Sequence, residues 1–126
     1  MNYHEVKNLL EGYVEYLSFM YGNSTIELRR NKKLNQFEYW GLFYANVATK
    51  SLFMEFEMGD IKECCVVRVH YVYWKDKFLE ECQIEQLKVS HHTQFLKDFT
   101  VYIYSMEEFQ KLFNILERID YFKQWD

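Results

Sequence analysis

A chain of 126 residues and 15.6 kDa has the size of one domain and is long enough to bury a core of its own. Its net charge of -4 and pI near 5.6 disfavour a general nucleic-acid binder, which needs a basic face for phosphate. No stretch approaches the roughly 20 apolar residues of a membrane span, and 11 Tyr, 11 Phe and 3 Trp with no proline are more ring surface than disordered segments carry.

The first segment has a helical period. Val6, Leu9, Leu10, Tyr13, Tyr16, Leu17 and Met20 recur at three- and four-residue spacing, with Lys7, Glu11, Glu15 and Ser18 on the other side, which predicts an amphipathic helix over 3–21. Asn2 suits its N-cap, with Glu5 in the first turn, and Gly22-Asn23 suits its stop. Gly12 inside the helix costs up to about 1 kcal/mol relative to alanine, so a close-packed neighbour is expected beside it.

Beyond residue 24 the period drops to two, and β-branched and aromatic residues accumulate. Strands are predicted at 25–30, 37–48, 51–58, 64–74 and 98–104, with a sixth at 82–90. Turns are expected at 31–35, at 49–51 and at Gly59-Asp60. Residues 75–90 are ambiguous, because Phe78, Leu79 and Cys82 fit one helical turn while Ile84, Leu87 and Val89 fit neither period. Ser105-Met106-Glu107-Glu108 is a capping box, in which the serine hydroxyl accepts from a first-turn amide and Glu108 reaches back to the serine amide. Met106, Phe109, Leu112, Phe113, Leu116 and Ile119 form the apolar stripe of a helix running to about residue 122. The order predicts a single α+β domain over 1–126, an antiparallel sheet of five or six strands with an N-terminal and a C-terminal helix packed mainly on one face.

Strand alternation sorts the side chains into two faces. One collects Ile26, Leu28, Tyr39, Phe43, Val47, Leu52, Met54, Phe56, Met58, Cys65, Val67, Val69, Tyr71, Tyr73, Phe99, Val101 and Ile103, and it suits the helices. The other interleaves rings with ionisable groups: Trp40, Tyr44, Phe53, Glu55, Glu57, Arg68, His70, Trp74, Tyr102 and Tyr104, together with Leu42, Asn46, Val66, Val72 and Thr100. That composition suits a partner-binding surface. It equally suits a face covered by residues 75–90 or by a second copy, with Arg68 paired to Glu55 or Glu57. A second candidate patch is the basic turn Arg29, Arg30, Lys32 and Lys33, four cations without an acid in an acidic chain.

Chemistry is weakly signalled. Cys64, Cys65 and Cys82 with His70, His91 or His92 could form a thiol–imidazole pair, but no signature surrounds the cysteines, and an odd thiol count suits reduced core residues in the cytosol. Neither Cys64-Cys65 nor His91-His92 has the spacing of zinc ligands, so no metal or cofactor is expected. Glu80-Glu81 and Glu107-Glu108 lack a catalytic context, and the glycines at 12, 22, 41 and 59 form no phosphate loop. The opening Met1-Glu5 has no basic region or apolar run of a signal peptide.

Lys outnumbers Arg 11 to 4, a bias that AT-rich coding produces, which associates the chain with low-GC bacteria, their phages and mobile elements. The expected function is therefore a small cytoplasmic inhibitor that occludes a protein partner, such as an anti-CRISPR-like anti-defence protein or a toxin-immunity protein. The expected partner is a nuclease or nucleic-acid-binding protein with a basic groove, toward which the excess acid would steer. Direct nucleic-acid binding and a membrane role are disfavoured. The alternatives are a small-ligand binder or enzyme with a Cys/His site between sheet and helices, and a homo-oligomeric subunit, a homodimer in the simplest case.

Overall fold

The computed structural model describes residues 3–21, 25–30, 39–44, 52–58, 64–70, 72–91 and 98–122. The elements are α1 (Tyr3–Tyr21), β1 (Thr25–Arg30), β2 (Tyr39–Tyr44), β3 (Leu52–Met58), β4 (Cys65–Val69), α2 (Lys75–Ile84), β5 (Lys88–His91), β6 (Phe99–Ile103) and α3 (Met106–Arg118). The proposed Asn2 cap, the Gly22-Asn23 stop, the turns at 31–35, 49–51 and Gly59-Asp60, Asn46, Val47, Tyr71 and His92 lie outside the described residues.

Among the described residues, three helices pack against one face of an antiparallel sheet. Among the described side chains, those of β4 and β6 and Met54 of β3 join the core, with Val89 of β5 packed against it. Cys65, Val67 and Val69 of β4 alternate with less buried residues, and so do Phe99, Val101 and Ile103 of β6. The register pairs Cys65 with Ile103, Val67 with Val101 and Val69 with Phe99, so these six side chains form one continuous apolar surface. Backbone pairing continues from β4 through β3 and β2 to β1, all antiparallel, in the order β1-β2-β3-β4-β6-β5.

The expected plan, a five- or six-stranded sheet with only two terminal helices, does not hold. A third helix, α2, occupies 75–84, where a sixth strand was expected to begin at 82, and the strand that follows is the four-residue β5. The reason is economy of burial. Phe78 and Cys82, one turn apart, are its only fully buried side chains, and they suffice to seat it because Phe78 meets Phe99 at 5.0 Å between ring centroids. No side chain caps its start at Trp74. Its end is a Schellman turn: the amide of Leu87 donates to the Cys82 carbonyl at 2.9 Å and that of Gln86 to the Gln83 carbonyl at 3.1 Å. Gln86 holds the left-handed conformation there, at φ 60, where glycine is the usual residue.

β4 is also shorter than the predicted 64–74, ending at Val69. Alternation therefore fails beyond it. Val72, expected on the polar face, is fully buried, and Tyr73, expected on the apolar face, is exposed.

The outer helices follow their stripes closely. In α3, Phe109, Leu112, Phe113, Ile115 and Leu116 are buried, and the Glu108 amide donates to Ser105 Oγ at 3.2 Å. The return bond differs from the expected box, since Glu108 Oε1 accepts from the Tyr104 amide at 2.7 Å and not from that of Ser105. In α1, Val6, Leu10 and Leu17 are buried, while Tyr16 and Met20, assigned to the stripe, are exposed beside Phe19. The two helices meet where the Tyr13 ring stacks on Phe113 at 3.8 Å and 11°. Tyr13 and Tyr16 then donate to the two oxygens of Glu117 at 2.8 and 3.1 Å. Arg118 donates to Glu81 at 3.0 Å and to Glu85 at 3.5 Å, joining α3 to α2.

Gly12 faces open space, with nothing within 4 Å of a Cβ built on it, so the expected close neighbour is absent among the described residues. Gly12→Ala should therefore raise stability by roughly 0.5–1 kcal/mol, read as a higher urea midpoint at unchanged slope. A lower midpoint would show that this part of α1 is packed after all.

Burial also sets an alkaline limit. Desolvation, helped by Glu81, pushes the Cys82 thiol from 9.0 up to about 12, and desolvation with Asp98 nearby lifts the Tyr121 phenol well above 10.0. Both groups hold their protons more tightly folded than unfolded. Their contribution is complete below pH 9 and is lost as pH rises through 9 toward 12. Urea midpoints measured from pH 7 to 11 should be level to about 9 and then fall; a level profile to pH 11 would contradict this.

Candidate functional site

Because all three helices lie on the apolar face, the opposite face of β4, β6 and β5 meets solvent. Arg68 is exposed there, as are Lys88 and Ser90, and Val66, Thr100 and Tyr102 are half-buried. The pairing arranges them in two cross-strand rows. Lys88, Tyr102 and Val66 lie opposite one another in the first, and Ser90, Thr100 and Arg68 in the second. Lys88 Nζ sits 5.1 Å from the centroid of the Tyr102 ring, a cation–π contact across β5 and β6. Arg68 is the diagonal neighbour of Tyr102 in the register, so the strand of Tyr102 lies between the strands of the two cations.

The backbone register extends both rows. Glu57 lies opposite Val66 and Trp40 opposite Glu57, while Glu55 lies opposite Arg68. Arg29 takes the position opposite Trp40, and Arg30 pairs with Tyr39 on the other parity. Trp40, Glu55, Glu57, Arg68 and Tyr102 thus share neighbouring positions on one face, as alternation predicted. Tyr44 and Phe53 do not match in the expected way, because the β2–β3 register shifts between Phe43 and Tyr44, and Tyr44 pairs with Leu52. Lys32 and Lys33, half of the basic turn, lie outside the described residues.

The remaining predicted residues sit away from this strip. His70 follows the last residue of β4 and donates from Nδ1 to Asp98 Oδ2 at 2.9 Å, both side chains 18% exposed. The buried Tyr121 hydroxyl donates to the His70 carbonyl at 2.6 Å, which fastens the turn after α3 to the end of β4. Trp74 is exposed at the start of α2, edge-on to Tyr73 at 4.8 Å, and belongs to a helix cap and not to the sheet. Tyr104 is exposed just beyond β6, its amide bound by Glu108.

Lys88, Ser90 and Asp98 are the participants that sequence reasoning missed. The alternation of Leu87 and Val89 with Lys88 and Ser90 was the available signal, obscured by running the strand back to 82. His91, paired opposite Phe99, stacks on that ring at 4.6 Å and 16°, which gives it a packing role.

The thiols have divergent settings. Cys65 and Cys82 are buried and Cys64 is partly exposed. Cys82 is kept as the neutral thiol at physiological pH, the opposite of an activated nucleophile. Among the described residues, no three His, Cys, Asp or Glu side chains converge as metal ligands. No described helix is long and apolar enough to cross a membrane. A thiol reagent at pH 8 should modify Cys64 promptly and the other two only in denaturant; rapid reaction of all three in the native protein would refute the buried placement.

No family model, no curated protein and no solved structure matches this chain.

Proposed function

We propose that this protein is a small binding protein that docks a partner protein on the open face of its sheet and acts by occupying that partner's surface. The observation that supports the reading is the one-sided placement of the helices, which leaves Arg68 and Lys88 exposed and the ring of Tyr102 half-buried on one strip of the sheet. Arg and Tyr are the residue types that carry binding energy at protein interfaces. In this proposal the setting is cytosolic, and the biological role is that of an inhibitor such as an anti-defence or toxin-immunity protein.

The alternative, a reactive site between sheet and helices, draws no support from Cys82, whose burial opposes thiolate formation. Self-association through the same face is separable by light scattering at micromolar concentration, where a strict monomer excludes it.

The test compares tagged wild-type protein with Arg68→Ala, Tyr102→Ala and, as a control on the helical side, Gln110→Ala, in native host lysate. Wild type and Gln110→Ala should retain one protein near stoichiometrically. Each face variant should lose it at least tenfold, with thermal midpoints within a few degrees of wild type. Equal retention by all four proteins would overturn docking on this face.

A further inference from the structure

We propose that the surface docked on this face is acidic, its carboxylates received by Arg68 and Lys88 on the strands either side of that of Tyr102; this rests on the docking reading above. The chain as a whole is acidic, at -4, yet this strip has the opposite sign. On β4, β5 and β6 the exposed charges of the open face are Arg68 and Lys88. Neither makes a hydrogen bond or ion pair with another described residue, Lys88 having only the ring contact.

Acids of the helices and of the segment before β6 are engaged within the protein, while Glu55 and Glu57 of β3 take the register positions opposite Arg68 and Val66. Asp98 is held by His70, Glu108 by the Tyr104 amide, Glu81 and Glu85 by Arg118, and Glu117 by two tyrosines. The hydroxyls of Ser90 and Thr100 share the row of Arg68, so the strip offers hydrogen-bond donors beside its cations. An arginine fork binds carboxylate bidentately, and a lysine drawn over a ring keeps its ammonium directed outward at little entropic cost.

Phosphate is the competing oxyanion, and the pairing of β3 argues against it. Glu55 and Glu57 take the positions directly opposite Arg68 and Val66, so the cationic strip is only about two strands wide before acids begin. A phosphodiester chain carries charge continuously and needs a longer basic track. Discrete carboxylates on a folded surface can be confined to the strip.

The test uses a Gly-Ser peptide carrying two spaced glutamates, the same peptide with two lysines in their place, and a thymidine trinucleotide with two phosphodiesters as probes, titrated into 15N-labelled protein at low and physiological salt. The two-glutamate peptide should shift the amides of 66–68, 88–90 and 100–102 at millimolar concentration. The apparent affinity should fall at least tenfold in the Arg68→Glu, Lys88→Glu double variant, and it should weaken with salt. Unchanged melting of that variant keeps the comparison valid, and Arg68→Gln with Lys88→Gln should give an intermediate loss. No shift on this strip with the two-glutamate peptide, or tighter binding of the trinucleotide, would overturn the proposal. With the partner retained from lysate, the two ideas separate. Loss on Tyr102→Ala with full retention by the double variant leaves docking standing and removes the acidic partner. Retention by every variant removes docking itself.

Discussion

The structure depends on one asymmetry: every described helix is packed on the same side of the sheet. The apolar members of β4 and β6 are fully buried, and the core they share with the helices includes Phe78, Phe99, Phe109 and Phe113. Each such ring withdrawn from water contributes about 1.5–3 kcal/mol, so a single-sided layer suffices to hold the fold without covering the second face. No charged or polar residue is buried among the described residues. The ion pairs and tyrosine hydrogen bonds lie at the margins, joining α3 to α1 and to α2, where they orient the helices more than they stabilise them.

How far this was legible from sequence depended on how many residues reported on each element. α1 and α3 carry six or seven apolar positions at helical spacing, and their bounds follow those stripes. β6 and the first half of β4 alternate cleanly, and they fall on the expected faces. α2 buries only Phe78 and Cys82, which two strand-like residues can mimic, and neither a capping side chain nor a glycine marks its ends. The same weakness misplaced β5 and hid Lys88. Val72 and Tyr73 went to the wrong sides because alternation was carried past Val69, where the strand stops.

The candidate site was legible in its centre and not in its periphery. Arg68 and Tyr102 sit on strands whose period is unambiguous, so their common face followed from counting. Trp74 and Tyr104 are aromatic and exposed, as expected, but they belong to the ends of other elements, one starting α2 and one leading into α3. Net charge was the least transferable signal. It summed acids that are tied into helix caps and ion pairs, whereas a partner meets only the charges that remain outward on one strip.

The stacking of Tyr13 on Phe113, with Tyr13 also bound to Glu117 across 104 residues of sequence, constrains how the chain comes into being on the ribosome. The stripe of α1 is made before α3, whose surface helps to shield it. Until α3 has emerged, Leu10 and Leu17 have no complete shelter, and the helix alone is only marginally stable in water. Closure of this unit therefore waits for α3, and its rate is governed by long-range closure more than by local helix formation. A truncated or slowly translated chain would expose that stripe for longest, making the nascent state a point at which chaperones engage it.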